Sequence, residues 1–245
     1  MKDIAEDEYV ELRNIGIGSS FECILIYHIK SGELLVLKKP HYNDEEISKL
    51  FHREVSSYSK LRHPLIPRFY GRVKNHQYFV IEYIKGHTFQ DIEKMQLTFN
   101  DKLIIIFQLM LIIKYLHDNE LIYRDLKPNN VMIDEDKTAV LIDFDRLIEN
   151  NDSRTAKTMD IGSILFTSPA AYETGEYSYK SDIYSLGKMI EYIMCSNKSD
   201  KNHEQAFQLD RYSKMCVNEN EENIPCISFI INEFILELQK KIHTE

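Results

Sequence analysis

A chain of 245 residues, 43% hydrophobic and 11% aromatic, is long and apolar enough for one large domain or two small lobes with a sizeable core. Its formal charge of −9 argues against a general nucleic-acid or anionic-membrane surface, so no nucleic-acid partner is expected. The cysteines, Cys23, Cys195, Cys216 and Cys226, form no CxxC pair and read as reduced thiols, and the acidic N-terminus lacks the apolar stretch of a signal peptide. The expected location is intracellular, in the cytoplasm, and the most apolar run, residues 103–116, is too short to span a bilayer and reads as a buried helix. Nothing in these properties speaks to oligomeric state.

In chain order, the first part is strand-rich. "YVELRNIGIG" and "FECILIYHI" are β-branched and aromatic segments around a glycine-containing turn, and "SGELLVLKKP" is a turn followed by a strand. Residues 43–61 have an acidic start and apolar residues at helical spacing, which predicts a helix that "HPLIP" ends. "YFVIEYI" is a strand running toward Gly86. From about residue 100 the pattern becomes mostly helical, with helices expected over 100–117, 180–195 and 229–242. The polar tracts 195–205 and 217–225 read as solvated loops.

Chemistry concentrates in "LIYRDLKPNNVMID", residues 121–134, where one short strand leads into a polar loop and another leads out. The loop offers Asp125, Lys127 and Asn130. A carboxylate can accept or orient a hydroxyl proton, a lysine can reach a phosphoryl oxygen, and an amide oxygen can bind a hard cation. Asp143 ends a later strand as a second hard-cation ligand. Each alone is weak, since a lone loop aspartate is usually a turn residue or a cap; their joint spacing carries the signal. Upstream, "NIGIGSSFEC" places two glycines between strands, where backbone N–H groups could approach phosphates, although a lone GxG is weak because hairpin turns often contain glycine. Lys38 ends the strand "LLVLK" and needs an anionic partner, which Glu54 on the following helix can supply, although taken alone a snorkelling surface lysine beside an unrelated helix glutamate is the better reading.

The ordered set resembles the eukaryotic protein kinase domain of serine/threonine type. "GIGSSFEC" resembles the glycine-rich loop, "LVLK" the third-strand lysine motif, "REV" the helix glutamate and "VIEYIKG" the hinge. "YRDLKPNN" resembles the catalytic loop, "DFD" the metal motif, "GSILFTSPA" the substrate-binding loop and "SDIYSLG" the central helix of the large lobe. The resemblance implies an α+β, bilobal fold over 9–245, with a β-rich N-lobe at about 9–84 and a shortened, mainly helical C-lobe at 85–245. It implies ATP and Mg²⁺ as cofactors, protein substrates, and transfer of the γ-phosphoryl group to Ser/Thr hydroxyls. It makes Asp125 the catalytic base and Lys127 its phosphoryl-side partner, with Asn130 and Asp143 as metal ligands. It makes Ile15, Gly16, Gly18, Cys23, Val36, Lys38, Glu54, Glu82, Ile84 and Met132 the ATP-binding set, with Ile81 as gatekeeper. Ser153, Thr155 and Thr158 become candidate phosphosites facing Arg124, with Glu149, Asp152 and Asp160 as alternative anions, and Ser163 touches the catalytic aspartate.

The chain departs from the pattern in several places. Phe21 stands where the third loop glycine is usual, where an aromatic could cap the phosphates. Val36 replaces an alanine above adenine and tightens that pocket, and Tyr123 replaces a histidine. Asp145 replaces the glycine after "DF", which removes backbone freedom but not the metal ligand. "SPA" replaces "APE", and no arginine lies beyond Arg211, so both partners of the usual buried ion pair are missing. The alternative reading is a nucleotide-binding pseudokinase acting as a scaffold or allosteric regulator.

Overall fold

The computed structural model describes residues 3–18, 20–42, 44–150, 164–195, 203–218 and 220–242. The chain divides into two compact units. The first runs to Lys85 and takes back Ile142–Leu147; the second comprises Gly86–Leu141 and the chain from Ile148.

The first unit is a six-stranded sheet with one helix. Strands β1 (Asp3–Ile4), β2 (Tyr9–Ile17), β3 (Phe21–His28), β4 (Glu33–Pro40), β5 (Phe69–Val73) and β6 (Phe79–Glu82) order as β1-β5-β6-β4-β3-β2. Period-2 alternation gives the sheet two faces. Ile24, Ile26, Leu35, Leu37 and Val80 join Ile4 and Val73 in a core on one face, with Tyr9, Tyr70 and Tyr78 packed against it. The register Cys23↔Lys38↔Phe79 and Leu25↔Val36↔Ile81 puts the candidate lysine and its neighbours on the other.

Helix α1 (Glu45–Lys60) lies in the span its periodicity predicts. The Asp44 carboxylate caps it, accepting from the Ile47 N–H at 2.8 Å, and Glu45 and Glu46 sit at the positive end of its dipole. Its Phe51 and Tyr58 rings pack on Phe79, which is fully buried.

In the second unit, β7 (Gly86–Thr88), β9 (Val131–Asp134) and β10 (Ala139–Leu141) form one small sheet, and β8 (Leu121–Ile122) pairs with β11 (Ile148–Glu149). Helix α2 (Phe99–Asp118) is the apolar run; Ile105, Ile106, Leu109, Met110, Ile112, Ile113 and Leu116 are all buried. It opens on a capping box in which the Thr98 hydroxyl accepts from the Asp101 N–H and the Asp101 carboxylate from the Thr98 N–H. Beyond it lie α3 (Pro169–Thr174), α4 (Tyr179–Cys195), α5 (His203–Cys216) and α6 (Ile227–Ile242). The α+β class is therefore as expected from the sequence.

The polar tracts differ from expectation. Residues 195–205 were to be loop, yet α5 starts at His203, and Leu209, Tyr212, Ser213 and Cys216 make its buried stripe. Gly187 explains why α5 lies so near α4: a Cβ there would stand 2.6 Å from Cys216 Cβ and 2.7 Å from Val217 Cγ2. The acidic stretch 217–225 contains a short turn of helix, Glu221–Asn223, and is not merely solvated. The Glu221 carboxylate accepts from the hydroxyls of Ser168 (2.6 Å), Ser178 (3.1 Å) and Ser181 (3.2 Å). Where Ala170 offers no carboxylate, this three-serine clamp ties the "SPA" segment down instead.

Candidate active site

In the first unit the site grows from the ends of β4 and α1. Lys38 is 6% exposed, and its ammonium donates to Glu54 and, at 3.2 Å, to Asp143 Oδ1. Burial alone would lower the Lys38 pKa, but the Asp143 and Glu54 carboxylates outweigh it and hold the proton well above the ordinary lysine range. Burial pushes the Glu54 carboxyl up to about 8; Lys38 opposes this, while the Asp143 and Asp145 carboxylates add to it. Lys38 therefore keeps its proton through neutral pH.

Asp143 has φ +68°, a left-handed angle that costs energy for a non-glycine residue. Its N–H donates to the Tyr58 hydroxyl at 3.3 Å, and the following Phe144 is fully buried with its ring edge on Tyr58. Asp145, in contrast, is not among the described residues with positive φ. The freedom a glycine would give is thus unused at 145; the strained residue is the aspartate two positions earlier. Arg53 donates to the Asp145 carbonyl at 3.4 Å.

Cys23 and Val36 share the Lys38 face, and burial raises the Cys23 thiol, so it is a poor nucleophile. Ile81 is buried, and Glu82, which ends β6, and Ile84 just beyond it are half-buried. The Glu82 N–H is spent on the Arg68 carbonyl at 2.9 Å. Ile15, Gly16 and Gly18 lie in and just after β2, and the Gly18 N–H closes a turn onto the Phe21 carbonyl at 2.8 Å.

In the second unit, Asp125, Lys127 and Asn130 are brought together. The Asn130 amide nitrogen donates to the Asp125 carbonyl (2.9 Å) and to its Oδ2 (2.8 Å), and Lys127 Nζ stands 2.9 Å from the same Oδ2. The carboxylate is 7% exposed and fixed in direction by these donors. With the nitrogen of Asn130 occupied, its Oδ1 remains as a hard acceptor. A small cleft is lined by Arg124, Asp125, Leu126, Lys127, Phe166, Thr167 and Ser185. Met132 is half-buried on β9. The Arg124 guanidinium lies over the Tyr177 ring, 4.7 Å from its centroid. The candidate phosphosites Ser153, Thr155 and Thr158, and also Asp152, Asp160 and Ser163, lie outside the described residues.

One residue was missed as an individual. Asp182, fully buried on α4, accepts from the backbone N–H groups of Tyr123 and Arg124, each at 2.8 Å, and stands 3.1 Å from His117 Nε2. It holds Arg124 at φ +75°, the angle that turns the chain into Asp125. The signal was present in "SDIYSLG", which was read only as a helix.

A family model described as "Protein kinase domain" matches residues 9–244. The chain belongs to the protein kinase domain family. The kinase domain is 33% identical to an Aurora kinase of Debaryomyces hansenii over 190 residues, 74% of this chain and 46% of that protein. It is 33% identical to the human serine/threonine-protein kinase Nek2 over 214 residues, 80% of this chain and 47% of Nek2. To the serine/threonine-protein kinase PrkC of Bacillus subtilis it is 31% identical, over 74% of this chain and 29% of that protein. The kinase domain thus spans less than half the length of these relatives. No helix among its described residues is long and apolar enough to cross a membrane.

Proposed function

We propose that this domain is an active serine/threonine protein kinase that transfers the γ-phosphoryl group of ATP to hydroxyls of protein substrates. The observation that carries the reading is the Asp125 carboxylate, held by Asn130 and Lys127 at the edge of a cleft. A carboxylate fixed this way can take the proton of an incoming hydroxyl as that oxygen bonds to phosphorus and the bridging oxygen leaves with the nucleoside diphosphate. Lys127 offsets the charge that builds on the transferred group. Lys38, braced by Glu54, serves the α- and β-phosphates. Ile15, Gly16, Gly18, Cys23, Val36, Glu82, Ile84 and Met132 are the residues proposed to bind the rest of the nucleotide.

The donor set suits Mg²⁺. A carboxylate at Asp143 and the Oδ1 of Asn130 are hard oxygen ligands that would hold it. When bound, the ion neutralises phosphate charge. The domain is taken as 9–245, with lobes at about 9–84 and 85–245, inside the cell. Ser153, Thr155 and Thr158 remain candidate sites of phosphorylation control.

The scaffold reading is favoured by one observation, the Phe21 ring that lies over Lys38. Incubation with labelled Mg·ATP and a basic serine peptide separates the two. Label on the peptide is expected; nucleotide binding without transfer would favour the scaffold.

A further inference from the structure

Phe21 opens β3 opposite Pro40, two residues before Cys23, and alternation turns its side chain to the Lys38 face. It is 4% exposed. Its ring meets Phe79 edge-on, with centroids 6.2 Å apart and planes at 77°. The Lys38 ammonium lies 5.3 Å from the Phe21 centroid and 5.6 Å from that of Phe79. The cation is therefore enclosed by the Glu54 and Asp143 carboxylates and by two aromatic faces. The turn that carries Phe21 is also fastened. Gly18 N–H donates to the Phe21 carbonyl, His41 Nε2 lies 2.9 Å from the Gly18 carbonyl, and His41 N–H donates to the Ser20 carbonyl at 3.1 Å.

An aromatic face attracts a cation and repels an anion, and a phenylalanine ring has no donor to offer a phosphate oxygen. A phosphate that is to touch the Lys38 ammonium must displace one of these groups; Glu54 is fully buried and Asp143 is kept for the metal in the reading above, which leaves the rings. Phe79 is wedged among Phe51, Tyr58 and Phe69 and cannot leave. Phe21, at the start of its strand beside a turn, can. We propose that Phe21 gates Lys38: its ring covers the ammonium in the nucleotide-free domain, and nucleotide phosphates engage the lysine only when the ring has moved aside. The apparent affinity for nucleotide is then reduced by the fraction of domains in which the gate is open. This deepens the reading proposed above, since it rests on Lys38 being a phosphate ligand.

The test uses the full chain without nucleotide. A short pulse of N-hydroxysuccinimidyl acetate is followed by mass spectrometry, comparing acetylation of Lys38 with that of Lys30, whose side chain is 68% exposed. ATP affinity is measured separately by calorimetry with Mg²⁺. Phe21→Gly is expected to raise the Lys38-to-Lys30 labelling ratio about ten-fold and to tighten ATP binding by a similar factor, with Phe21→Leu changing both in the same direction but less. An unchanged ratio in the variants, or faster labelling with ATP binding unchanged or weakened, overturns the gate. If thermal melts show Phe21→Gly to be unfolded, Phe21→Leu decides by the same two readouts. Transfer to a serine peptide is assayed in parallel. Tighter binding and faster labelling without any transfer would keep the gate and remove the kinase activity. Transfer with unchanged labelling would keep the activity and remove the gate.

Discussion

At the scale of single residues, the buried Lys38–Glu54 pair makes a pH prediction. The Glu54 carboxyl is pushed up to about 8, against 4.5 for an unperturbed one. Between those values the folded chain holds a proton that the unfolded chain has released, so stability falls as pH rises through this window. Glu54→Gln stays neutral throughout and removes that dependence. Thermal melts at about pH 5 and about pH 8 should show the variant losing less Tm across the window than the parent chain. An equally steep loss in the variant would put the titration on another group. Asp182 makes a second prediction. Asp182→Ala orphans the buried N–H of Tyr123 and that of Arg124, at roughly 1–3 kcal/mol each, and releases the left-handed turn into Asp125. Denaturant unfolding should show the loss, and kcat should fall with it. A stable variant with full activity would show that Asp182 does not hold the catalytic loop.

At the scale of elements, the α4–α5 contact and the serine clamp each carry a prediction. Gly187→Ala would drive a methyl into Cys216 and Val217, an overpacking cost of about 1–3 kcal/mol that a Tm measurement can read. An unchanged Tm would mean that α5 shifts freely. Glu221→Gln keeps the shape of the clamp but gives up the charge that three serine hydroxyls share. Since Ser168 directly follows Phe166 and Thr167, which line the cleft beside Asp125, the KM for peptide should rise while the KM for ATP holds. Equal changes in both would make the clamp a matter of stability alone. Neither feature was legible beforehand. In α5 the buried stripe of Leu209, Tyr212, Ser213 and Cys216 contains only moderately apolar residues amid charge, so the helical period was hidden in composition. Glu221 looks like any acid in a polar run until the fold brings distant serines to it.

At the scale of the whole chain, the sequence showed much of the architecture because its strongest signals are local. The apolar run of α2, the acidic start of α1 and the strands around Asp125 each follow from period and capping alone. The Lys38–Glu54 pairing and the grouping of Asp125, Lys127 and Asn130 came from spacing and resemblance, and both pairings are present. What spacing could not show is backbone strain and ring placement. The left-handed angle belongs to Asp143 and not to Asp145, and Phe21 turns inward over Lys38. Both depend on the register of strands far apart in the chain.

In the proposed reaction Asp125 takes the proton of an acceptor hydroxyl. This role is tested most directly by single-turnover phosphoryl transfer from labelled Mg·ATP to a serine peptide, comparing the parent chain with Asp125→Asn, alongside ATP affinity by calorimetry. Transfer is expected to fall by a factor of about 10² to 10⁴ while ATP affinity stays within about two-fold, because the carboxylate acts on the acceptor and not on the nucleotide. Transfer at the parental rate by the Asp125→Asn variant would contradict this role.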